Sequence, residues 1–181
     1  MFISQQLKQK NIAEYLIYMW QVEDLIRANG CEVDRIEKNV VDRYPSLSAE
    51  QKQTLLQWYE DLIEMMRREE VMQKGHLQIN KNIITWLTDL HLQLLGSSKF
   101  PYYNAAYYKA LPFIVELRAK GADKDEPELV TCFDALYGIL LLKLQGKPIS
   151  EETKKAQEVI SALLSMLSGY YIEDKKGELE L

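Results

Sequence analysis

Thiols and imidazoles are scarce in this chain: its 181 residues include two cysteines, Cys31 and Cys132, and two histidines, His76 and His91. Neither cysteine has a second cysteine or a histidine at motif spacing, which excludes a disulfide framework or a local zinc motif as the organising feature. Both cysteines read as reduced thiols packed in apolar helical patterns. Neither histidine has a carboxylate or histidine three residues away, so the Glu-x-x-His arrangement of di-metal bundles is missing. His91, beside Asp89 on a leucine-rich stretch, reads as a residue making one structural hydrogen bond at the edge of the core.

Glycine-rich phosphate loops and a Gly-x-Ser-x-Gly elbow are also absent, and no cofactor is expected. Positive charge is in deficit: 22 Lys and Arg against 27 Asp and Glu give a formal charge of -5 and a pI near 5.2. A sequence-independent phosphate binder draws its affinity from clustered cations, so nucleic acid is not an expected partner. The longest charge-free apolar stretch, 159–172, is shorter than the roughly 20 residues that span a bilayer,. No membrane segment is expected. The opening Met1-Phe2-Ile3 gives way to Gln5, Gln6, Lys8 and Lys10 without the apolar core of a signal peptide, which makes the cytoplasm the expected compartment,.

What the chain does have is helical periodicity. The stretch 127–171 reads as two helices folded back about Gly146-Lys147-Pro148, and the rest is expected to pack on that hairpin. In the first arm Leu129, Phe133, Leu136, Tyr137, Leu140, Leu141 and Leu144 follow the i, i+3, i+4, i+7 spacing that lines one side of a helix,. Val159, Ile160, Leu163, Leu164, Leu167, Tyr170 and Tyr171 do the same in the second. Gly146 supplies a left-handed stop, Pro148 cannot continue a helix, and Ser150 caps the next one. Folding about Lys147 sets Ala135 opposite Ser161 and Ala162, and Thr131 near Ser165, so close packing of the arms through small residues is expected.

Earlier in the chain, Asn11 with Glu14 opens a helix at 11–29 that Gly30 ends, with Ile12, Tyr15, Leu16, Met19, Val22 and Ile26 inward,. A shorter helix from residue 33 buries Val33, Ile36 and Val40 and stops before Pro45. Ser48 with Gln51 is a capping box opening a helix at 48–73, with Leu55, Tyr59, Leu62, Ile63 and Met66 on its core side,. A helix at 77–95 carries Ile83, Ile84, Leu87, Leu90, Leu94 and Leu95. Pro101 then suits the first turn of a helix that Pro112 should kink or break, exposing the carbonyl of Tyr108. Residues 121–126 read as a polar linker, and the acidic tail from residue 173 as frayed,. The expectation is an all-α single domain of six or seven helices, spanning 1–181 with the C-terminal antiparallel hairpin at its centre. A chain of this length buries roughly 70% of its unfolded surface.

Two constellations compete for function. Glu60-Asp61-Leu62-Ile63-Glu64 sets two carboxylates one helical turn apart, able to share a divalent cation, and resembles the first acidic motif of the all-helical nucleoside triphosphate pyrophosphohydrolases,. Those enzymes pair it with a Glu-x-x-Asp on a following helix, and this chain has none. Glu64 also lies one turn before Arg68, as on an ordinary solvated face.

The second constellation is aromatic: Phe100, Tyr102, Tyr103, Tyr107, Tyr108 and Phe113 crowd one segment. Tyr103, Ala106, Tyr107, Ala110, Leu111 and Ile114 share the face that seats it, leaving Tyr102, Ala105 and Tyr108 to point elsewhere. They either cover the edge of the hairpin with their hydroxyls in water or serve recognition, and the second reading makes a non-enzymatic binding or scaffold module with a homodimer or protein partner the expected function. The metal-dependent hydrolase is the alternative. Over its whole length, most clearly in Trp86-Leu87-Thr88-Asp89-Leu90-His91 and in 163–171, the chain resembles an uncharacterised bacterial family of helical domains of unknown function, about 180 residues long. That resemblance implies an intracellular helical bundle and transfers no catalytic residues.

Overall fold

The computed structural model describes residues 1–120 and 126–181, so the expected linker lies, except for Glu126, outside the described residues. Among the described residues there are eight α-helices, a 3-10 turn and no strand. They run α1 (Phe2–Lys10), α2 (Ile12–Ala28), α3 (Val33–Asn39), the 3-10 turn (Val41–Arg43), α4 (Ala49–Arg68), α5 (Gln78–Gly96), α6 (Pro101–Ala119), α7 (Glu128–Leu144) and α8 (Glu151–Lys176). The all-helical fold is as expected, and no described helix is long and apolar enough to cross a membrane. The helix beyond the expected count is α1, set off from α2 at Asn11, whose Oδ1 accepts from the N–H groups of Ala13 and Glu14 at 3.1 and 3.2 Å.

Local chemistry fixes most helix ends. Ser48 and Gln51 make both halves of their capping box, and Ser150 Oγ accepts from the Thr153 N–H at 3.1 Å. Gly146 ends α7 at φ 67°, where the Gly146 and Lys147 N–H groups bond back to the Lys143 and Leu142 carbonyls. Helix α4 stops five residues before the expected 73, using the same geometry with a glutamate in the left-handed position. Glu70 sits at φ 57° while the Val71 N–H reaches the Met66 carbonyl at 2.9 Å. Burial of Val71 against the end of α4 supplies the apolar contact that accompanies this motif,. Helix α6 continues through Pro112 without a break: Pro112 is exposed, so its missing N–H and the Tyr108 carbonyl lie on the solvent side,. Helix α8 continues past residue 173 to Lys176, where Gly177 caps it in the left-handed conformation.

The described residues gather into two compact units, Met1–Gln6 with Tyr18–Asn82, and Leu7–Ile17 with Ile83–Leu181. Both divisions after residue 7 fall inside helices, α2 and α5, which is why no linker in the sequence marks them. In the first unit Trp20, Val22 and Ile26 of α2, Ile36 of α3, and Leu55, Tyr59, Leu62, Ile63 and Met66 of α4 are buried. Arg27 fastens the loop after α4, donating to the Val71 carbonyl at 3.0 Å and to that of Gly75.

In the second unit α8 packs against both α6 and α7, most extensively against α6. Its expected core residues Ile160, Leu163, Leu164, Leu167 and Tyr171 are buried. Ser168 Oγ donates to the Leu164 carbonyl at 2.8 Å and accepts from the Ala13 N–H at 3.2 Å, tying the start of α2 to α8. Arms α7 and α8 are antiparallel neighbours: Ala135 and Ile139 share a cleft with Ile160 and Ala156, and Lys143 Nζ donates to Gln157 at 2.8 Å.

Two details of the hairpin differ from expectation. Ala162 and Ser165 are exposed, and Ala162 lies beside α6 instead of lining the α7 contact. The stripe of α7 is also displaced: Leu129, Cys132, Phe133 and Ile139 are buried, Leu136, Tyr137, Leu140 and Leu141 are half-buried, and Leu144 is 69% exposed. Between Asp134 and Lys143 this helix carries no charged residue, so no polar face fixes which side turns inward,.

Candidate functional site

Helix α6 divides its aromatics between two sides. Tyr103, Ala110 and Ile114 form its buried stripe, with Ala106, Tyr107, Leu111 and Phe113 half-buried beside it. On the inner side the rings join a polar cluster. Tyr103 and His91 Nδ1 share a 2.6 Å hydrogen bond, and the Tyr107 hydroxyl donates to Glu128 Oε2 at 2.9 Å. The His91 ring meets both tyrosines edge-on, with centroids 5.7 and 5.2 Å away, while Tyr170 stands edge-on to Phe100 and Tyr103. His91 therefore makes the structural bond expected of it, although it is buried and not at the margin of the core.

The electrostatics of this cluster oppose a nucleophilic role for its cysteine at neutral pH,. Burial, then the Glu128 charge, pushes the Cys132 thiol up to about 12. Burial, followed by the hydrogen bond and charge of Glu128, carries Tyr107 up to about 12. Tyr103 is also raised by burial. For His91 burial lowers the pKa below its ordinary 6.5, with Glu128 acting weakly in the opposite direction. Every shift favours the neutral form, whereas a nucleophilic cysteine needs its thiolate.

A pH dependence follows. Because folded His91 takes up a proton less readily than the unfolded chain, its contribution to stability is present above 6.5 and is lost as pH falls from there towards the lowered folded value,. Denaturant midpoints between pH 7.5 and 5 should fall, with a slope from this group of at most about 1.4 kcal/mol per pH unit. In His91→Phe that part of the slope should vanish. If wild type and variant lose stability in parallel, His91 is not the group being charged.

The outer side of α6 is different. Tyr102 is 81% exposed, Tyr108 66% and Val115 56%, and Ala105 and Pro112 are exposed between them. At 3.6 residues per turn the five share one face. Beside it, between α6 and α8, runs a groove of about 570 Å³ walled by Tyr102, Ala105, Ala106 and Lys109 and by Glu158, Val159, Ala162 and Met166. Of the six aromatics singled out in the sequence, the structure places Phe100, Tyr103 and Tyr107 in or against the polar cluster. Tyr102 stands at the groove, Tyr108 lies on the outer stripe, and Phe113 lines a smaller cleft with Ala135, Ile139 and Ile160. Glu60 and Glu64 are exposed, and Glu64 is engaged by Arg68. Among the described residues no three acidic, histidine or cysteine side chains are placed to hold one metal ion.

Sequence reading missed a second polar centre. Glu23 of α2 is completely buried. Its Oε2 accepts from His76 Nδ1 at 2.6 Å, and its Oε1 from the Leu77 N–H at 3.0 Å and Asn80 Nδ2 at 2.8 Å. Trp20 stacks on the His76 ring at 4.1 Å. The carboxylate thus stands at the N-terminus of α5, where unpaired N–H groups and the helix dipole favour negative charge. The available signal was a glutamate on the apolar side of α2, one turn from both Met19 and Ile26. Its partners lie more than fifty residues away, beyond any local spacing rule.

Over residues 1–178 the chain matches the family described as Domain of unknown function (DUF4924), and it belongs to that family. This bears out the resemblance to a helical family of unknown function of this length. No curated protein and no solved structure matches the chain.

Proposed function

We propose that the protein is a non-enzymatic helical binding module that presents the outer side of α6 to a second copy of itself. One observation carries this reading: α6 is apolar on two opposite faces, and only the Tyr103, Ala110 and Ile114 face is buried within the chain. A helix apolar all round is normally covered, and large aromatics are the anchors of protein interfaces. The charges beside the stripe suit self-pairing. Lys109 and Glu116 are both exposed, and two antiparallel copies of α6 crossing near Pro112 would bring each Lys109 towards Glu116 of the other copy, where it would share that carboxylate with Lys120,. Two free, buried cysteines suit a reducing compartment such as the cytoplasm,.

Sedimentation across a hundredfold concentration range tests the reading. Wild type should self-associate, and Tyr102→Ala combined with Tyr108→Ala should weaken association about tenfold or more, while monomer melting shifts by only a few degrees, roughly, because both side chains are exposed,. A wild type that stays monomeric throughout, or a double variant that associates equally well, would remove α6 as the docking face.

A further inference from the structure

Another group of tyrosines belongs to the unit formed by Met1–Gln6 and Tyr18–Asn82. Tyr18 of α2, Tyr44 after the 3-10 turn and Tyr59 of α4 line one cavity of about 230 Å³. Pro45 accounts for the placement of Tyr44, since the residue before proline is steered from the helical region, and Tyr44 sits at φ -99°, ψ 87°,. Tyr59 is buried, Tyr18 half-buried and Tyr44 47% exposed, so the cavity has a closed wall and an open lip. Leu47, Leu55, Ile3 and Met1 complete it; none of these residues has a charged side chain, and burial lowers the Met1 amino group to about 5, so it too is neutral at physiological pH. Burial, and then the neighbouring phenols, raise Tyr18 and Tyr59, so both stay neutral at physiological pH.

Size and surface together narrow the ligand. Whole small molecules occupy sites of roughly 300–1,000 Å³, so this cavity suits the end of a side chain or a head group. Phenol ring faces attract cations. A primary ammonium would carry three N–H donors into a wall whose described side chains include no carboxylate or amide and offer only phenol oxygens as strong acceptors,. An N-methylated ammonium carries the charge without donors and presents methyl groups to the aliphatic surface. We propose that the cavity enclosed by Tyr18, Tyr44 and Tyr59 binds a trimethylammonium group, the chemistry shared by a choline head group and a trimethylated lysine side chain.

The test is an NMR titration of the full chain with three probes: choline, Nα-acetyl-trimethyllysine methylamide, and 3,3-dimethylbutan-1-ol, the neutral isostere of choline with carbon in place of nitrogen. At least one cation should saturate and bind about tenfold tighter than the alcohol, the range that ring–cation attraction supplies. The tighter of the two cations identifies the source. Tyr44 is open to solvent, so its variants should stay folded: Tyr44→Phe should keep the affinity within roughly threefold, and Tyr44→Leu should lose about tenfold,. Equal binding of the alcohol, no saturable binding of any probe, or unchanged cation affinity in Tyr44→Leu would each overturn the proposal.

Discussion

Replacing Glu23 with Ala should lower the stability of the folded chain by about 3 to 5 kcal/mol, the usual loss when one partner of a buried charged network is deleted. In a chain of this size that corresponds to roughly 6 to 20 °C in melting temperature. The magnitude comes from what is left behind. His76 Nδ1, the Leu77 N–H and Asn80 Nδ2 all donate to this one carboxylate, and a methyl group at position 23 accepts from none of them. Buried donors without acceptors cost about 1 to 3 kcal/mol each unless water reaches them, and the partial exposure of His76 spares that one,. Glu23→Gln should lose much less, about 1 to 2 kcal/mol, because the amide oxygen can keep the Leu77 and Asn80 bonds while the amide NH2 donates towards His76 Nδ1. Denaturant titration of both variants measures this. A loss under about 1 kcal/mol for Glu23→Ala would mean that the pair is a surface accommodation and does not hold the start of α5.

Leu163→Ala should cost about 2 to 5 kcal/mol, since Leu163 is fully buried on the face of α8 that packs in the core and its removal leaves a cavity lined by rigid neighbours,. Leu140→Ala should cost only about 1 kcal/mol, because that side chain is only partly buried and the truncated site can fill with solvent,. The contrast is the informative measurement, as apolar periodicity alone ranks the two leucines equally. If Leu140→Ala costs as much as Leu163→Ala in dilute solution, the outer side of α7 is covered in the working form of the protein, and the difference should then depend on concentration.

The helix ends were legible from neighbouring residues because caps are local. Ser48 with Gln51, Asn11 with Glu14, Ser150 and Gly146 each act within four residues of where they stand, and each behaves as its chemistry dictates. Glu70 escaped notice because a glutamate rarely takes the left-handed position, and it does so here with Val71 buried beside it. For α8, serines, lysines and glutamates on the outer side set the phase of the helix, so Ile160, Leu163, Leu164 and Leu167 were identifiable as core. Helix α7 lacks such a polar face between Asp134 and Lys143, and only the fit against α6 and α8 decided that Ile139 turns inward while Leu140 and Leu141 stay partly exposed.

The two sides of α6 followed from helical spacing, whereas the groove beside Tyr102 required the approach of α8. The Glu23–His76 contact and the Tyr18, Tyr44 and Tyr59 cavity join residues from separate helices and loops. By itself the sequence determined most helix ends and the apolar faces of helices that also carry a polar side, because hydrogen bonding and side-chain direction act over one or two turns. Tertiary structure alone decided which apolar face is spent inside the chain and which distant polar groups meet, because those outcomes depend on how whole helices pack.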